Sequence, residues 1–364
     1  MAKSYLYPMK QSYVIALFSC ILLVSCQPAP QENQQVSVDE RTNFDFTWTE
    51  FNTPATASLR GLSAVSEEIA WASGSGATCL RTTDGGKNWQ SYSFDVPDTL
   101  QFRDVEAFGE DTAYLLSAGT PGLIYQTTDG GQNWVKQYEN TSPDIFLDGM
   151  AFWDEQRGVV MGDPLEGRFV ILRTTEGGQH WERIASENIP LPREGEGGFA
   201  ASGTNIVVKG TQHAWFASGG KTSRVFRSVD GGKNWTDHEV PIIQGESSQG
   251  IFSLAFADTL RGVAVGGDFL APYDTTQIAA YTTDGGRSWQ LAVQMPGGYR
   301  SGVAHFPKDQ LFIATGTNGT DYSTNFGKTW LPLDTAGYHS IQPVPGQSAA
   351  WLSGGNGKVA KLSW

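Results

Sequence analysis

The chain has 364 residues, of which 38 are acidic and 25 are basic, so its formal net charge at pH 7 is -13. An acidic surface of this kind disfavours nucleic acid as a partner. The three cysteines are Cys20, Cys26 and Cys79. Because the first two fall in or directly after a targeting segment, no disulfide framework is expected.

The N-terminus is predicted to be that targeting segment. Lys3 and Lys10 precede an apolar run at residues 13–24, which is too short to span a bilayer comfortably. The run ends in Leu-Val-Ser before Cys26, a sequence that resembles a bacterial lipobox. We therefore expect residues 1–25 to be a lipoprotein signal peptide and Cys26 to carry the lipid, with secretion without a lipid as the alternative.

Residues 26–43 are polar and contain no long apolar run, which predicts a flexible tether after the lipid. Gln27 follows the cysteine, whereas an Asp at this position would favour retention at the inner membrane. The expected location is therefore the cell envelope, as an outer-membrane lipoprotein that faces either the periplasm or the outside.

Six copies of one eight-residue box occupy much of the remaining sequence. Each box has a hydroxyl residue, then an acidic residue or its substitute, then Gly and Trp, in the pattern S/T-x-D-x-G-x-x-W. The tryptophans recur every 41 to 54 residues and are Trp89, Trp134, Trp181, Trp235, Trp289 and Trp330. This period is typical of a β-propeller blade, in which four short strands and their turns repeat.

The acidic position of each box predicts turn chemistry rather than a reactive group. The glycines permit positive φ in a tight turn, and the carboxylate accepts hydrogen bonds from turn amides. One carboxylate per box is too few for a calcium site. We therefore assign structural roles to Asp84, Asp129, Glu176, Asp230, Asp284 and Asn325, and expect the box tryptophans to be buried against neighbouring sheets.

The segments around the first box predict the strands of one blade. They are residues 59–65, 68–74, 78–83 and 90–94. Second-strand segments occur seven times for six boxes, because the chain ends three strands into a last blade. The apolar and aromatic residues 44–51 would complete that blade by pairing beside the C-terminal strand. The predicted fold is therefore all-β, a seven-bladed β-propeller of four-stranded antiparallel sheets over residues 44–364, closed by its N-terminal strand.

The starts of the first strands supply a candidate ligand site, because first strands line the channel of a propeller and the boxes fall on the opposite face. The predicted funnel residues are Arg60, Arg103, Asp148, Asp163, Asp268, Arg300 and His339. Three arginines at one mouth favour an anion or carboxylate ligand, since guanidinium groups match carboxylates in bidentate geometry. The alternative is that these arginines only form ion pairs with Asp104, Asp148, Asp163 and Asp268. Long loops add Glu194, Glu196 and Tyr273 to the predicted rim.

Other motifs that carry chemistry are missing from the sequence. The five histidines show no metal-ligand spacing. No nucleophile elbow, phosphate-binding glycine loop or dinucleotide fingerprint occurs. We therefore predict no cofactor and no metal site.

The boxes and the A-W-x-S-G second strand, as at residues 82–89 and 70–74, resemble those of the Asp-box (bacterial neuraminidase repeat) propellers. Within these, the chain is similar to the photosystem II stability and assembly factors and their non-photosynthetic bacterial relatives, over nearly all of residues 44–364. The resemblance implies a propeller that binds a protein, since the photosynthetic members bind membrane-protein intermediates during assembly.

Two enzyme families contain the same boxes. Sialidases hold the substrate carboxylate with three arginines, which Arg60, Arg103 and Arg300 would imitate. The F/Y-R-I-P motif of those enzymes is missing, because Gly61 and Leu62 follow Arg60. Xyloglucanase-type glycosidases place their catalytic acids on two propellers that face each other, whereas this sequence predicts one.

We therefore expect a non-catalytic binding or assembly scaffold that engages a protein or a glycan through its funnel face. The alternative is a glycoside hydrolase of sialidase-like or xyloglucanase-like type. In that case paired carboxylates such as Asp148 and Asp163 would support hydrolysis if their separation suits it.

Overall fold

The structure, a computed structural model, describes residues 44–364. The predicted signal peptide (residues 1–25), the lipidation of Cys26 and the tether (residues 26–43) lie outside the described residues. Among the residues described, no helix is both long enough and apolar enough to cross a membrane.

The described chain forms seven antiparallel sheets, which confirms the prediction of an all-β, seven-bladed propeller. Blade 1 contains β2 (Leu59–Ala64), β3 (Ala70–Gly74), β4 (Thr78–Thr82) and β5 (Gln90–Tyr92). Blade 2 contains β6 (Gln101–Ala107), β7 (Ala113–Ala118), β8 (Gly122–Thr127) and β9 (Val135–Asn140). Blade 3 contains β10 (Leu147–Phe152), β11 (Gly158–Leu165), β12 (Arg168–Thr174) and β13 (Glu182–Arg183).

The remaining blades follow the same order. Blade 4 contains β15 (Ile206–Lys209), β16 (His213–Ala217), β18 (Arg224–Ser228) and β19 (Thr236–Glu239). Blade 5 contains β20 (Gln249–Phe256), β21 (Gly262–Asp268), β22 (Ala279–Thr282) and β23 (Gln290–Leu291). Blade 6 contains β24 (Gly302–Phe306), β25 (Leu311–Gly316), β26 (Gly319–Ser323) and β27 (Leu331–Asp334). Blade 7 contains β28 (Ser340–Pro343), β29 (Ala349–Ser353), β30 (Val359–Ser363) and β1 (Thr47–Phe51). Two short 3-10 helices lie at Ser186–Asn188 and Gly355–Gly357.

One sheet departs from the four-stranded pattern. The short strands β14 (Glu196–Gly197) and β17 (Gly219–Gly220) pair with each other, and β17 pairs with β20, so the sheet of blade 5 has six strands. The first strand of blade 4 correspondingly begins at Ile206. Residues 201–202, which precede this strand, lie in a loop at the channel mouth.

The core lies between adjacent sheets rather than inside any one of them. Strands β3, β7 and β29 are buried along their whole length, because both faces of each second strand are covered. One cluster joins Leu62 and Leu80 of blade 1 to Trp351 and Val359 of blade 7. Burying apolar side chains between neighbouring blades therefore holds the ring together.

The N-terminal strand closes the ring, as predicted. Strand β1 pairs antiparallel with β30, from Thr47 opposite Ser363 to Phe51 opposite Val359, and it is the outermost strand of blade 7. The ring of Trp48 stacks on Tyr338 with 5.4 Å between the ring centroids. The last blade is thus built from both ends of the described chain, which leaves no unpaired β30 edge.

Each box forms the turn between the third and fourth strands of its blade. In the first box, the Gly86 amide donates to Thr82 Oγ1 (2.9 Å) and the Asn88 amide donates to Asp84 Oδ1 (2.9 Å). Gly85 and Gly86 have φ values of 77 and 89, a region that favours glycine. The hydrogen bonds from Asn88, first from its backbone and then from its side chain, lower the pKa of Asp84.

The box tryptophans pack between blades. Five of the six are between 1 and 9 % exposed, whereas Trp134 is only partly buried. Trp89 makes an edge contact with Trp351 of blade 7, and Trp134 makes one with Trp71 of blade 1. Each of these two rings therefore fills space against the preceding blade.

The third box lacks the hydrogen bonds that the other acidic positions make. In the part of the chain that the structure describes, the Glu176 carboxylate accepts no hydrogen bond, while Asp284 Oδ1 accepts the Ser288 amide at 3.0 Å. We predict that Glu176→Asp restores the bond to the amide of residue 180 and stabilises the protein by about 1 kcal/mol. The midpoint of thermal unfolding should rise by about 2 °C.

The matched control is Asp284→Glu, which should lower the unfolding midpoint because the longer side chain loses the bonds that Asp284 makes. Thermal melts followed by circular dichroism measure both. An unchanged or lower midpoint for Glu176→Asp would contradict this account of the box.

Candidate functional site

A cavity of about 470 Å³ lies at one mouth of the central channel. We call it the funnel cavity; it is lined by Arg60, Arg103, Phe146, Asp163, Gly198, Phe199, Ala200, Ala201, Phe252, Phe269, Tyr299 and Thr317. The boxes lie at the other end of the blades, beside the turns that join first and second strands. The Gly85 amide, for example, donates to the Glu68 carbonyl at 3.0 Å. The structure therefore separates the repeated boxes from the funnel cavity.

Two arginines from neighbouring blades reach the funnel cavity without a carboxylate partner. Arg60 Nη1 donates to the Ala201 carbonyl (3.2 Å), and Arg103 Nη1 donates to the Ala200 carbonyl (3.0 Å). Within residues 44–364, neither guanidinium forms a salt bridge. The two carbonyls, and Gln101 Oε1 at 2.8 Å from Arg103 Nε, hold the two groups in place without an ion pair, so an anionic group would be attracted to this mouth.

The pKa values of neighbouring groups reflect this excess of positive charge. Burial, and then repulsion from Arg60, lowers the pKa of Arg103 to about 10. Burial lowers the pKa of His339 to about 4, and repulsion from Arg60 and Arg103 acts in the same direction. His339 does not line the funnel cavity, yet it lies within the field of both arginines and stays neutral at physiological pH.

Two predicted acids lie at different depths behind the arginines. Asp163 lines the funnel cavity, and its Oδ1 accepts the Gly198 amide at 2.6 Å. Asp148 is fully buried: a Cβ atom on Gly198 would approach its Oδ2 to 2.6 Å, so the Gly198 backbone covers it. Burial raises the pKa of Asp148 well above its ordinary value, and the charge of Asp163 adds to this.

The oxygens of Asp148 have no hydrogen-bond partner of normal geometry in the described chain. The charge of Arg103, and then the backbone amides of Asp163 and Ala200, lower its pKa, but less than burial raises it. Asp148 is therefore a fully buried acid that lies behind the lining of the funnel cavity, and burial favours its neutral form.

The structure places Arg300 away from the funnel cavity. Its Nε donates to Asp321 Oδ2 (2.6 Å), its Nη1 donates to Asn318 Oδ1 (2.7 Å), and the side chain is buried. The preceding residue, Tyr299, lines the cavity instead. The alternative prediction, that the arginines only form ion pairs, therefore holds for Arg300. Its partner is Asp321, which was not among the acids named from the sequence. The alternative does not hold for Arg60 or Arg103, which form no salt bridge in the described chain.

Other residues of the predicted rim also have structural roles. Asp268 caps the first turn of the blade 5 insertion, which is the loop between β21 and β22 (residues 269–278), and its Oδ1 accepts the Leu270 amide at 2.9 Å. Glu196 is buried and accepts Arg224 Nε at 2.8 Å, whereas Glu194 is exposed and pairs with Lys221. Neither Asp268 nor Glu196 lines the funnel cavity.

Sequence reasoning did not assign the aromatic wall of the funnel cavity. Phe199 stacks on Phe252 with 3.9 Å between ring centroids, and Tyr299 meets Phe252 edge-on at 4.8 Å. Beyond this wall, Leu270 and Tyr273 of the blade 5 insertion are 76 and 78 % exposed. The sequence did contain a signal for this wall. An aromatic residue stands near the start of the first strand in several blades, as at Phe102, Phe252 and Tyr299.

The described residues contain no arrangement of side chains suited to binding a metal ion. No group of three His, Cys, Asp or Glu side chains among them is placed to hold a metal ion. The funnel cavity therefore offers cationic and aromatic side chains with one accessible carboxylate, a composition suited to binding an anionic and partly apolar ligand.

The seven blades, their box turns and the funnel cavity define an Asp-box β-propeller. Residues 40–144 match the sequence profile of a family described as Photosynthesis system II assembly factor YCF48. No curated protein matches the chain in sequence.

Solved structures with a similar fold include two of YCF48. YCF48 bound to a D1 peptide is 17 % identical, covers 88 % of this chain and 96 % of its own, and superimposes with a TM-score of 0.62. YCF48 from Cyanidioschyzon merolae is 18 % identical, with 87 and 98 % covered and a TM-score of 0.60. An ancestral GH74 enzyme is 14 % identical, with 85 % of this chain but 45 % of that chain covered and a TM-score of 0.60. At these identities the likeness establishes the fold alone.

Proposed function

We propose that this protein is a lipid-anchored, non-catalytic binding propeller that captures a carboxylate-bearing protein segment in its funnel cavity. The observation that carries the proposal is the pair of guanidinium groups, Arg60 and Arg103, with no carboxylate partner beside an aromatic wall. A carboxylate would supply the charge that the two arginines lack. Aromatic side chains would bury the apolar part of the same ligand.

A protein ligand accounts for the rim better than a glycan does. Leu270 and Tyr273 expose apolar surface next to Phe269, which belongs to the cavity wall. Exposed apolar side chains beside a cavity are typical of protein interaction sites. The structure of YCF48 bound to a D1 peptide supports this choice, because a propeller with a similar fold binds a peptide.

The glycoside hydrolase remains the second candidate, since an ancestral GH74 enzyme has a similar fold. Xyloglucanase-type enzymes, like most glycosidases of both stereochemical classes, need two carboxyl groups at the scissile bond. Asp163 reaches the funnel cavity, but Asp148 lies behind the Gly198 backbone. A single accessible carboxylate favours the non-catalytic role.

The lipid anchor rests on the lipobox-like sequence before Cys26. Thr47 opposite Ser363 places the start of β1 at the end of blade 7 that corresponds to the box turns of the other blades, away from the funnel cavity. We predict that cells expressing the protein incorporate labelled palmitate into it and that Cys26→Ala abolishes the labelling and releases the protein from the membrane fraction. Labelling that persists in Cys26→Ala would contradict the anchor.

Peptide binding tests the role of the funnel cavity. A library of hexapeptides with apolar C-terminal residues, each made as a free acid and as an amide, is measured by fluorescence anisotropy. We expect the free acids to bind. The Arg60→Gln/Arg103→Gln variant should bind them with an affinity at least about tenfold lower, since hydrogen bonds to charged groups contribute about 1.5–3 kcal/mol. Amidation of the peptide should have a similar effect.

The matched control is Arg157→Gln, because Arg157 pairs with Asp154 on a turn at the box end and should leave affinity unchanged. The proposal would be overturned if free acids and amides bound with equal affinity. It would also be overturned if the Arg60→Gln/Arg103→Gln variant bound free acids as tightly as the unaltered protein does. Hydrolysis of fluorogenic sialosides or β-glucosides that Asp163→Asn abolishes would favour the glycosidase instead.

A further inference from the structure

A second concave surface lies outside the funnel cavity, at the outer edge where blade 1 meets the box turn of blade 2. This blade 1–2 groove has a volume of about 530 Å³ and is lined by residues 90–95, Tyr125 and residues 131–134. It is larger than the funnel cavity and shares no residue with it. Nothing in the proposed capture of a carboxylate uses it.

Aromatic rings form the floor of the blade 1–2 groove. Phe94 lies 5.5 Å from Trp134 and 5.8 Å from Tyr125, measured between ring centroids, and all three side chains are partly exposed. Trp134 thereby differs from the five other box tryptophans, which are almost completely covered. The three rings are tilted to one another, with 51° between Phe94 and Trp134 and 52° between Phe94 and Tyr125, so together they form a concave, partly exposed aromatic surface.

The rim of the blade 1–2 groove is polar and carries little charge. Gln90, Ser91, Ser93 and Gln132 are exposed, and Asp95 is the only charged side chain among the lining residues. Gln132 uses its Nε2 to donate to the Asp129 carbonyl (3.1 Å), which leaves its Oε1 directed to other donors. Amide and hydroxyl groups of this kind both donate and accept hydrogen bonds.

Partly exposed aromatic rings with neutral hydrogen-bonding groups around them match the surface of a neutral sugar. A pyranose ring has an apolar C–H face, which packs on an aromatic ring, and hydroxyl groups at its edge, which pair with amides. The lining contains no Lys or Arg, so uronic acids, phosphates and sialic acid would find no cation there. The geometry points to a binding site for a neutral oligosaccharide in the blade 1–2 groove, independent of the funnel cavity.

Isothermal titration calorimetry with cellohexaose, xylohexaose, mannohexaose and chitohexaose tests this assignment on the purified protein. At least one of these neutral sugars should bind. Tyr125→Ala should lower the affinity for that sugar about tenfold or more, because aromatic surface is lost. Gln132→Ala should lower the affinity severalfold, because a polar contact is lost. Gln132 is exposed, so this second variant tests the site even if Tyr125→Ala impairs folding.

Two controls locate the effect. Tyr273→Ala removes another exposed aromatic side chain, on the funnel rim, and should leave sugar affinity within about twofold. The Arg60→Gln/Arg103→Gln variant should bind the sugar normally even if it no longer binds peptides. No binding of any of the four sugars, binding that both groove variants leave unchanged, or binding that Tyr273→Ala abolishes would overturn the assignment.

Discussion

Pairing of β1 with β30 is the constraint on which the rest of the structure depends. Five residues near the start of the described chain, Thr47–Phe51, complete the sheet whose other strands come from its last residues. Without them blade 7 would present an open edge, and the core shared by blades 1 and 7 around Trp351 would lose the contacts of Phe51. A closed ring has no free end at which sheet packing can loosen, so we expect the blades to unfold together.

The funnel cavity is a product of that closure. Arg60 belongs to blade 1 and Arg103 to blade 2, yet both donate to carbonyls at Ala200 and Ala201, in the loop before blade 4. These contacts join segments far apart in sequence, and only a ring of fixed size holds them at hydrogen-bonding distance. The box turns stabilise the end of the blades opposite the funnel cavity. The residues that line the funnel cavity can therefore differ between proteins with this fold, as those of binding sites on rigid scaffolds do.

Repetition explains how much of this fold could be predicted from sequence. The period of the boxes and the unpaired segment at residues 44–51 indicated seven blades and the strand that closes them, and β2 ends within one residue of its predicted limit. Site residues were harder to predict, because Arg60, Arg103 and Arg300 occupy similar places in the repeat. Only the fold reveals that Asp321 and Asn318 bind Arg300, while the other two form no salt bridge with a carboxylate of the described chain. The paired strands β14 and β17, which displace the start of blade 4, have no signature in the repeat either.

Native-state hydrogen exchange of β1 tests the central claim most directly. The backbone amides of Thr47–Phe51 are followed by mass spectrometry over a denaturant series and compared with those of β29, in the interior of the same sheet. If β1 closes the ring, its hydrogen-bonded amides should exchange only through global unfolding, with the same free energy and denaturant dependence as β29. Rapid exchange of β1 by local opening, while β29 stays protected, would contradict the account.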